Sequence, residues 1–394
     1  MTMGLGTRLK ERRERAAMTQ EQTAHSLGIP RELVSMWENE NRIPSRYQVE
    51  ELAKLYKVEK EYLLGQVDLN EQYERTILYR GLQDHSAIKP VFEGWLDFLD
   101  KWASFLEQTG YRHLGPGRPP RSLDEGQVIT DARRASTLAI TVRQHFKLGL
   151  DKMPNLYTFL DEQGILVYRA PLGSISGDDG VSGAFYNHPK LGYCIIVNCD
   201  TAPGRQIFTL AHEFAHAYYH YQLQGIVSSK DECKRSEEVF ADAFSAHFLV
   251  PGKELRRLVK EHEEQGELDH YKALFLAAWF GVSYGTLLVR LKHERLIQLE
   301  QYEEWKQYSP SAMAQQMGLN PEDFRIPQRK TLLLERYPFS IHKKVRQAIT
   351  NGLITIDEAA ELLDIETSTI ESDLLGNLPK PTPEEEQEFL EFPG

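Results

Sequence analysis

Cysteine is nearly absent: Cys194, Cys199 and Cys233 are the three in 394 residues. They make no even disulfide set and no CxxC pair, which argues against a disulfide-stapled scaffold and a thiolate zinc knuckle. No apolar run reaches the roughly 18 residues of a membrane span, and the first residues lack the charged-then-apolar order of a secretory signal. The expected compartment is a reducing cytoplasm, with no membrane partner. Positive charge is also short: 46 Lys and Arg face 58 Asp and Glu, a formal net charge of −12. The chain as a whole is not built to bind a polyanion. Glycine (27) and proline (19) stay at ordinary levels, which excludes collagen-like or low-complexity organisation. The length instead predicts two or three globular domains.

What is present is concentrated in His212-Glu213-Phe214-Ala215-His216. Two histidines four apart on a helix project from one face and can grip one Zn2+ ion. Glu213 between them sits where a carboxylate can take a proton from an activated water. Phe208, Leu210, Ala211, Phe214, Ala215 and Tyr218 give this segment the apolar face of a buried helix. A plain core helix with two satisfied histidines is the simpler alternative. A third ligand is expected from the next apolar helix, which begins at Ser236-Glu237-Glu238. Glu238 is preferred over Glu237 because Asp242, four residues on, shares its face and can accept the N–H of a ligating histidine. Cys233, five residues earlier, could compete for zinc as a thiolate, but an inert cysteine is the simpler reading. His220 continues the row of histidines, either as a surface or capping residue or as a contact to substrate.

The surrounding residues carry a resemblance. Ser182-Gly183-Ala184-Phe185, Ile195-Ile196-Val197-Asn198 and Gly204 through His216 occur in order. Glu238-Val239-Phe240-Ala241-Asp242-Ala243-Phe244 and Leu249-Val250-Pro251 follow them. Together they resemble the ImmA/IrrE family of zinc metallopeptidases, within a domain taken as 121–298. The family usually has Leu-Gly before the second histidine, where this chain has Phe214-Ala215, and often Asn where this chain has Asp242. Neither departure touches a ligand position. The resemblance implies a cytoplasmic peptidase that cuts a repressor or antitoxin-like protein. Candidates for substrate or transition-state contact are His220, Arg205 and Tyr186.

The N-terminus carries a second pattern. Leu9, Ala16, Ala24, Leu27, Val34, Trp37, Leu52 and Leu63 recur at helical spacing, divided by turn signals at Thr19, Gly28-Ile29-Pro30 and Asn39-Glu40-Asn41. Thr19 with Gln22 three residues on reads as a capping box. Five short helices in residues 1–66 fit a helix-turn-helix domain, which resembles the XRE (lambda-repressor-like) family. Its second helix should start near Pro30. Arg31, Glu32, Ser35 and Met36 would then face the major groove, with Gln20, Asn41, Arg42 and Arg46 near phosphates. Residues 1–46 hold eight Lys and Arg against six Glu, so the electrostatic footprint is small. Glu40 stands where such a turn prefers glycine.

The whole reads as a multidomain protein. An all-α helix-turn-helix domain (1–66) leads into a helical connector and linker (67–120), whose aromatic stripe is core material and whose clearest break is 115–120. An α+β zincin-like metallopeptidase core (121–298) follows, with helices at 131–146 and 155–163. Strands are expected at 165–169 and, as a buried-edge strand, 194–198, with a glycine-rich loop at 173–183. An all-α C-terminal region (299–378) and an acidic tail (379–394) complete the chain. Residues 354–365 read as a capped helix and turn, a candidate second helix-turn-helix or docking platform. The expected function is a DNA-binding regulator fused to a zinc endopeptidase. Its partners would be double-stranded operator DNA and a protein substrate, with a toxin and a homodimeric state as further candidates. The rival is a non-catalytic repressor or antitoxin with a structural or vestigial zinc site. Retention of Glu213 favours the peptidase, since a structural zinc needs no such carboxylate.

Overall fold

The computed structural model describes residues 4–16, 18–56, 60–64, 87–113, 115, 119–175, 180–223, 225–229, 235–264, 266–326 and 334–376. Cys233, the segment 66–72, residues 116–118 of the 115–120 linker and the acidic tail lie outside the described residues.

The first segment folds as α1 (Leu5–Arg15), α2 (Gln20–Leu27), α3 (Arg31–Glu38), α4 (Arg46–Leu55) and α5 (Lys60–Leu63). Thr19 caps α2 reciprocally: its hydroxyl accepts from Gln22 N–H at 3.1 Å, and Gln22 Oε1 accepts from Thr19 N–H at 2.7 Å. Gly28 ends α2 in the left-handed region, which lets α3 start at once behind Pro30. Leu9, Ala24, Val34, Trp37, Val49, Leu52 and Leu63 close a small core of their own.

The rest is built around a four-stranded mixed sheet: β1 (Leu166–Ala170), β2 (Val181–His188), β3 (Gly192–Asn198) and β4 (Gly225–Ser229), in the order β1-β3-β2-β4. β3 pairs parallel with β1 and antiparallel with β2, so the strand expected at a buried edge lies in the interior. Its unbroken apolar run, Cys194 to Val197, suits a strand covered on both faces. The expected loop at 173–183 ends in β2, which the sequence hides behind Ser182 and Gly183.

Period-two alternation sends side chains to two cores. Val167, Phe185, Tyr193, Ile195 and Val197 meet α7 (Ala135–His145), α8 (Leu156–Glu162), α9 (Pro203–Tyr219) and α10 (Ser236–Leu249). That core extends into α12 (His270–Phe280), which follows α11 (Gly252–Glu263), and on through α13 (Tyr284–His293), α14 (Leu299–Trp305) and α15 (Pro310–Gln316). On the other face Leu166, Tyr168, Ala184, Tyr186, Cys194 and Ile196 meet α6 (Lys89–Thr109), α16 (Phe339–Thr350) and α17 (Ile356–Leu363). The aromatic stripe Phe92, Trp95, Phe98, Trp102 and Phe105 of α6 is core, as its spacing implies. The segment expected as a connector thus supplies part of a layer, and 337–375 share its core rather than forming a separate unit. A sheet with two apolar faces needs both covered, and these helices cover the second. No single helix among the described residues is long and apolar enough to cross a membrane.

Candidate metal centre

Helix α9 starts on Pro203, whose fixed φ suits a first turn. Gly204 follows because a Cβ there would lie 2.4 Å from the Ser283 backbone nitrogen. That close approach locks the helix against the α12–α13 turn. Two turns later His212 and His216 leave one face together. Opposite them α10 presents Glu238, 3% exposed, while Glu237 stays nearer the surface and accepts from the Ser236 hydroxyl.

The three groups converge. His212 Nε2 lies 3.0 Å from His216 Nε2 and 3.0 Å from Glu238 Oε2, and His216 Nε2 lies 3.3 Å from Glu238 Oε1. A tetrahedral zinc with bonds of about 2.0–2.1 Å needs ligand atoms roughly 3.3 Å apart, so the cluster is close to the size the ion requires. The donor set fits as well: two imidazoles and one carboxylate leave a fourth position for substrate or water. Asp242 Oδ1 accepts from His212 Nδ1–H at 2.9 Å, which turns the other nitrogen, Nε2, towards the cluster.

Glu213 is fully buried, and neither of its oxygens has a hydrogen-bond partner. The Ser228 hydroxyl of β4 approaches it without closing a bond. Burial pushes the Glu213 carboxyl up to about 8, against the opposing pull of His212. Burial would also raise Glu238, but the two imidazoles beside it hold it well below the usual carboxylate range. Gly183 on β2 makes room for Glu213: a Cβ there would lie 2.8 Å from Thr209 Cγ2 and 3.3 Å from Glu213 Oε1.

The three expected substrate contacts fall elsewhere. Tyr186 belongs to the opposite face of the sheet, edge-on to Trp95 at 6.3 Å, because its strand alternates and Phe185 takes the metal side. Arg205 stays exposed, its guanidinium 5.8 Å from the Phe208 ring centroid. It sits seven residues, roughly 10 Å along the helix axis, before His212. His220 is fully buried, with Nδ1 2.7 Å from His216 Nδ1 and Nε2 2.6 Å from the Ile129 carbonyl. Sequence reasoning missed Ser228, Gly183 and Ile129. Ser182-Gly183 was visible as a motif, whereas a backbone carbonyl leaves no mark in a sequence.

In the N-terminal segment Arg31 and Glu32 are exposed at the start of α3, Ser35 is half-buried and Met36 is 45% exposed on the same helix. Asn41, Arg42 and Arg46 are exposed just beyond it. Gln20 departs from expectation: its amide donates to Glu38 Oε2 at 2.8 Å and so supports the fold. Glu40 adopts φ 60°, the left-handed geometry that its position demands.

Comparison with known proteins agrees with both halves. Residues 160–292 match the peptidase M78 family described as the IrrE N-terminal-like domain, and residues 6–69 match a helix-turn-helix domain family. One relative, the HTH-type transcriptional regulator ImmR of Bacillus subtilis (strain 168), is 34% identical over 82 residues. That match covers 21% of this chain and 65% of the relative, so the chain spans just under two thirds of the relative's length. The chain thus joins an N-terminal helix-turn-helix domain to an IrrE-like domain of a metallopeptidase family.

Proposed function

We propose that this chain is a DNA-binding transcription regulator whose second part is a zinc-dependent endopeptidase acting on a regulatory protein, such as a repressor or antitoxin. The observation that carries the peptidase reading is Glu213. A buried carboxylate with no hydrogen-bond partner costs stability. A structural zinc held by His212, His216 and Glu238 would give no reason to keep it. Next to those three groups it has one, as the base for a water at the fourth ligand position.

In this reading His212, His216 and Glu238 hold zinc, with His212 oriented by Asp242. When bound, zinc supplies Lewis-acid polarisation of water and of a peptide carbonyl. Glu213 takes a proton on its carboxylate as water attacks the carbonyl, then returns it to the leaving amine. Its dry surroundings raise its basicity towards that task. Arg31, Glu32, Ser35 and Met36 read base edges, while Asn41, Arg42 and Arg46 meet phosphates.

The test is co-expression of the full chain with candidate regulatory proteins encoded beside it. The parent should carry about one zinc and cleave one of them, and the Glu213→Gln protein should carry zinc and leave it intact. Equal regulatory activity of parent and Glu213→Gln would instead favour a non-catalytic regulator.

A further inference from the structure

His220 has both ring nitrogens committed, and the two commitments fix each other. The Ile129 carbonyl can only accept, so His220 Nε2 at 2.6 Å must carry a hydrogen and donate it. The ring is fully buried, and it meets His216 Nδ1 to Nδ1, a contact in which one ring must donate and the other accept; with its hydrogen on Nε2, a neutral His220 supplies the acceptor. Its Nδ1 is therefore an acceptor. His216 Nδ1, 2.7 Å away, must be the donor. With its one hydrogen on Nδ1, the neutral His216 that a metal ligand must be presents Nε2 bare, and this is the atom that faces His212 and Glu238.

We propose that His220 is a positioning residue that locks His216 in its metal-ready tautomer, anchoring the second histidine ligand to the Ile129 backbone. The proposal rests on the metal-site reading above and goes beyond it. The two ligating histidines are held differently. His212 leans on Asp242, whose side chain is 55% exposed, whereas His216 and His220 are completely enclosed. The enclosed ligand cannot be corrected by water, so its orientation must be built in. The anchor is itself tied back: Ile129 N–H donates to the Tyr219 carbonyl at 3.3 Å, so the segment before α7 is stitched to the end of α9 by two bonds. The metal centre thereby includes a stretch of chain upstream of the 160–292 segment that matches the peptidase family.

The test is zinc affinity of the full chain by chelator competition, together with the visible spectrum of the Co2+-loaded protein. His220→Ala removes both bonds and should weaken zinc by about 10–100-fold, the usual range for groups that orient a ligand. The cobalt bands should shift with it. His220→Phe, which refills the volume without an acceptor, should behave like His220→Ala and serves if the alanine protein does not fold. His220→Asn places an amide oxygen where Nδ1 stood, and should recover most of the affinity and the parent spectrum. A purely structural role predicts the reverse, with Phe tolerated and Asn not. Parent-like affinity in a folded His220→Phe protein, or His220→Asn as weak as the alanine protein, would overturn the relay. His216→Ala in parallel reports on the metal site itself: unchanged zinc content there sinks the site, whereas failure of the His220 series alone sinks only the relay.

Discussion

Glu38 and Glu213 are both glutamates buried in helices, and the molecule treats them in opposite ways. Glu38 is 7% exposed and fully partnered: Arg13 Nη2 donates to Oε2 at 3.0 Å, Arg13 Nε donates to Oε1, and Gln20 donates to Oε2. Glu213 is 0% exposed and neither oxygen has a hydrogen-bond partner. A partnered buried charge is compatible with a purely structural role. An unpartnered one is a cost that folding gives no reason to keep. The difference separates a carboxylate that suits a structural role from the one proposed to act in catalysis, and it can be broken or sharpened by substitution.

The largest expected effect is at Glu213. Glu213→Gln should lower proteolysis by about 10²-fold or more, the usual contribution of a general base. Zinc content should hold, and the thermal midpoint should stay level, because one unpartnered buried polar side chain replaces another of the same size. A clear fall in the midpoint would mean that Glu213 was structural after all.

Glu38→Gln should do the converse. It leaves Arg13 charged and poorly paired, and should destabilise the N-terminal domain by about 2 kcal/mol. That is below the cost of a fully dry pair because Arg13 keeps some contact with water. Peptidase activity should not move. Urea unfolding followed through Trp37, beside α1–α3, measures the first, and a cleavage assay checks the second.

A smaller effect is expected at the exposed side chains. Arg31→Ala should lower binding to the preferred DNA sequence by roughly tenfold and narrow its margin over random DNA. Arg42→Ala should weaken all DNA alike and flatten the salt dependence. Titration of labelled duplexes at two salt concentrations separates them, and equal behaviour of the two variants would remove the distinction between reader and phosphate contact.

The smallest effect concerns His113, a half-buried group on the segment after α6. Burial, helped by Lys344, pushes His113 down to about 4. The unfolded chain takes up its proton near 6.5, so the stability from a neutral His113 is intact above that pH and is lost as pH falls towards 4. His113→Phe should therefore flatten the acid decline of the full chain between pH 6.5 and 4, by at most about 1.4 kcal/mol per pH unit. Denaturant unfolding at pH 7, 6 and 5 reads it, and parallel curves for parent and variant would show that His113 is not a proton sink.

Much of this organisation is legible in the sequence because it is local. The reciprocal cap at Thr19 and Gln22, the glycine turn at Gly28 and the start of α3 behind Pro30 depend on neighbours within four residues. So does the pairing of His212 with His216, which follows from helical periodicity alone. Glu238 could be singled out over Glu237 because Asp242 shares its face.

What remained hidden depends on distance in the chain. β2 looks like a loop because Ser182 and Gly183 interrupt its apolar pattern, yet Gly183 is small because helix α9 and Glu213 press against it. Tyr186 looked available to substrate until the register of β2 turned it to the other face. Helix α6 looked like a connector because nothing near it in sequence shows the sheet face that its aromatic stripe covers. His220 reads as a surface or capping histidine, or as a substrate contact, because its partner is a carbonyl 91 residues away. The sequence by itself determined the helical elements and the identity of the groups proposed to do the chemistry, since those rest on side-chain type and short-range spacing. Only the tertiary structure decided which face each group meets and which are left unpartnered, because burial and hydrogen-bond satisfaction depend on chain segments far apart in the sequence.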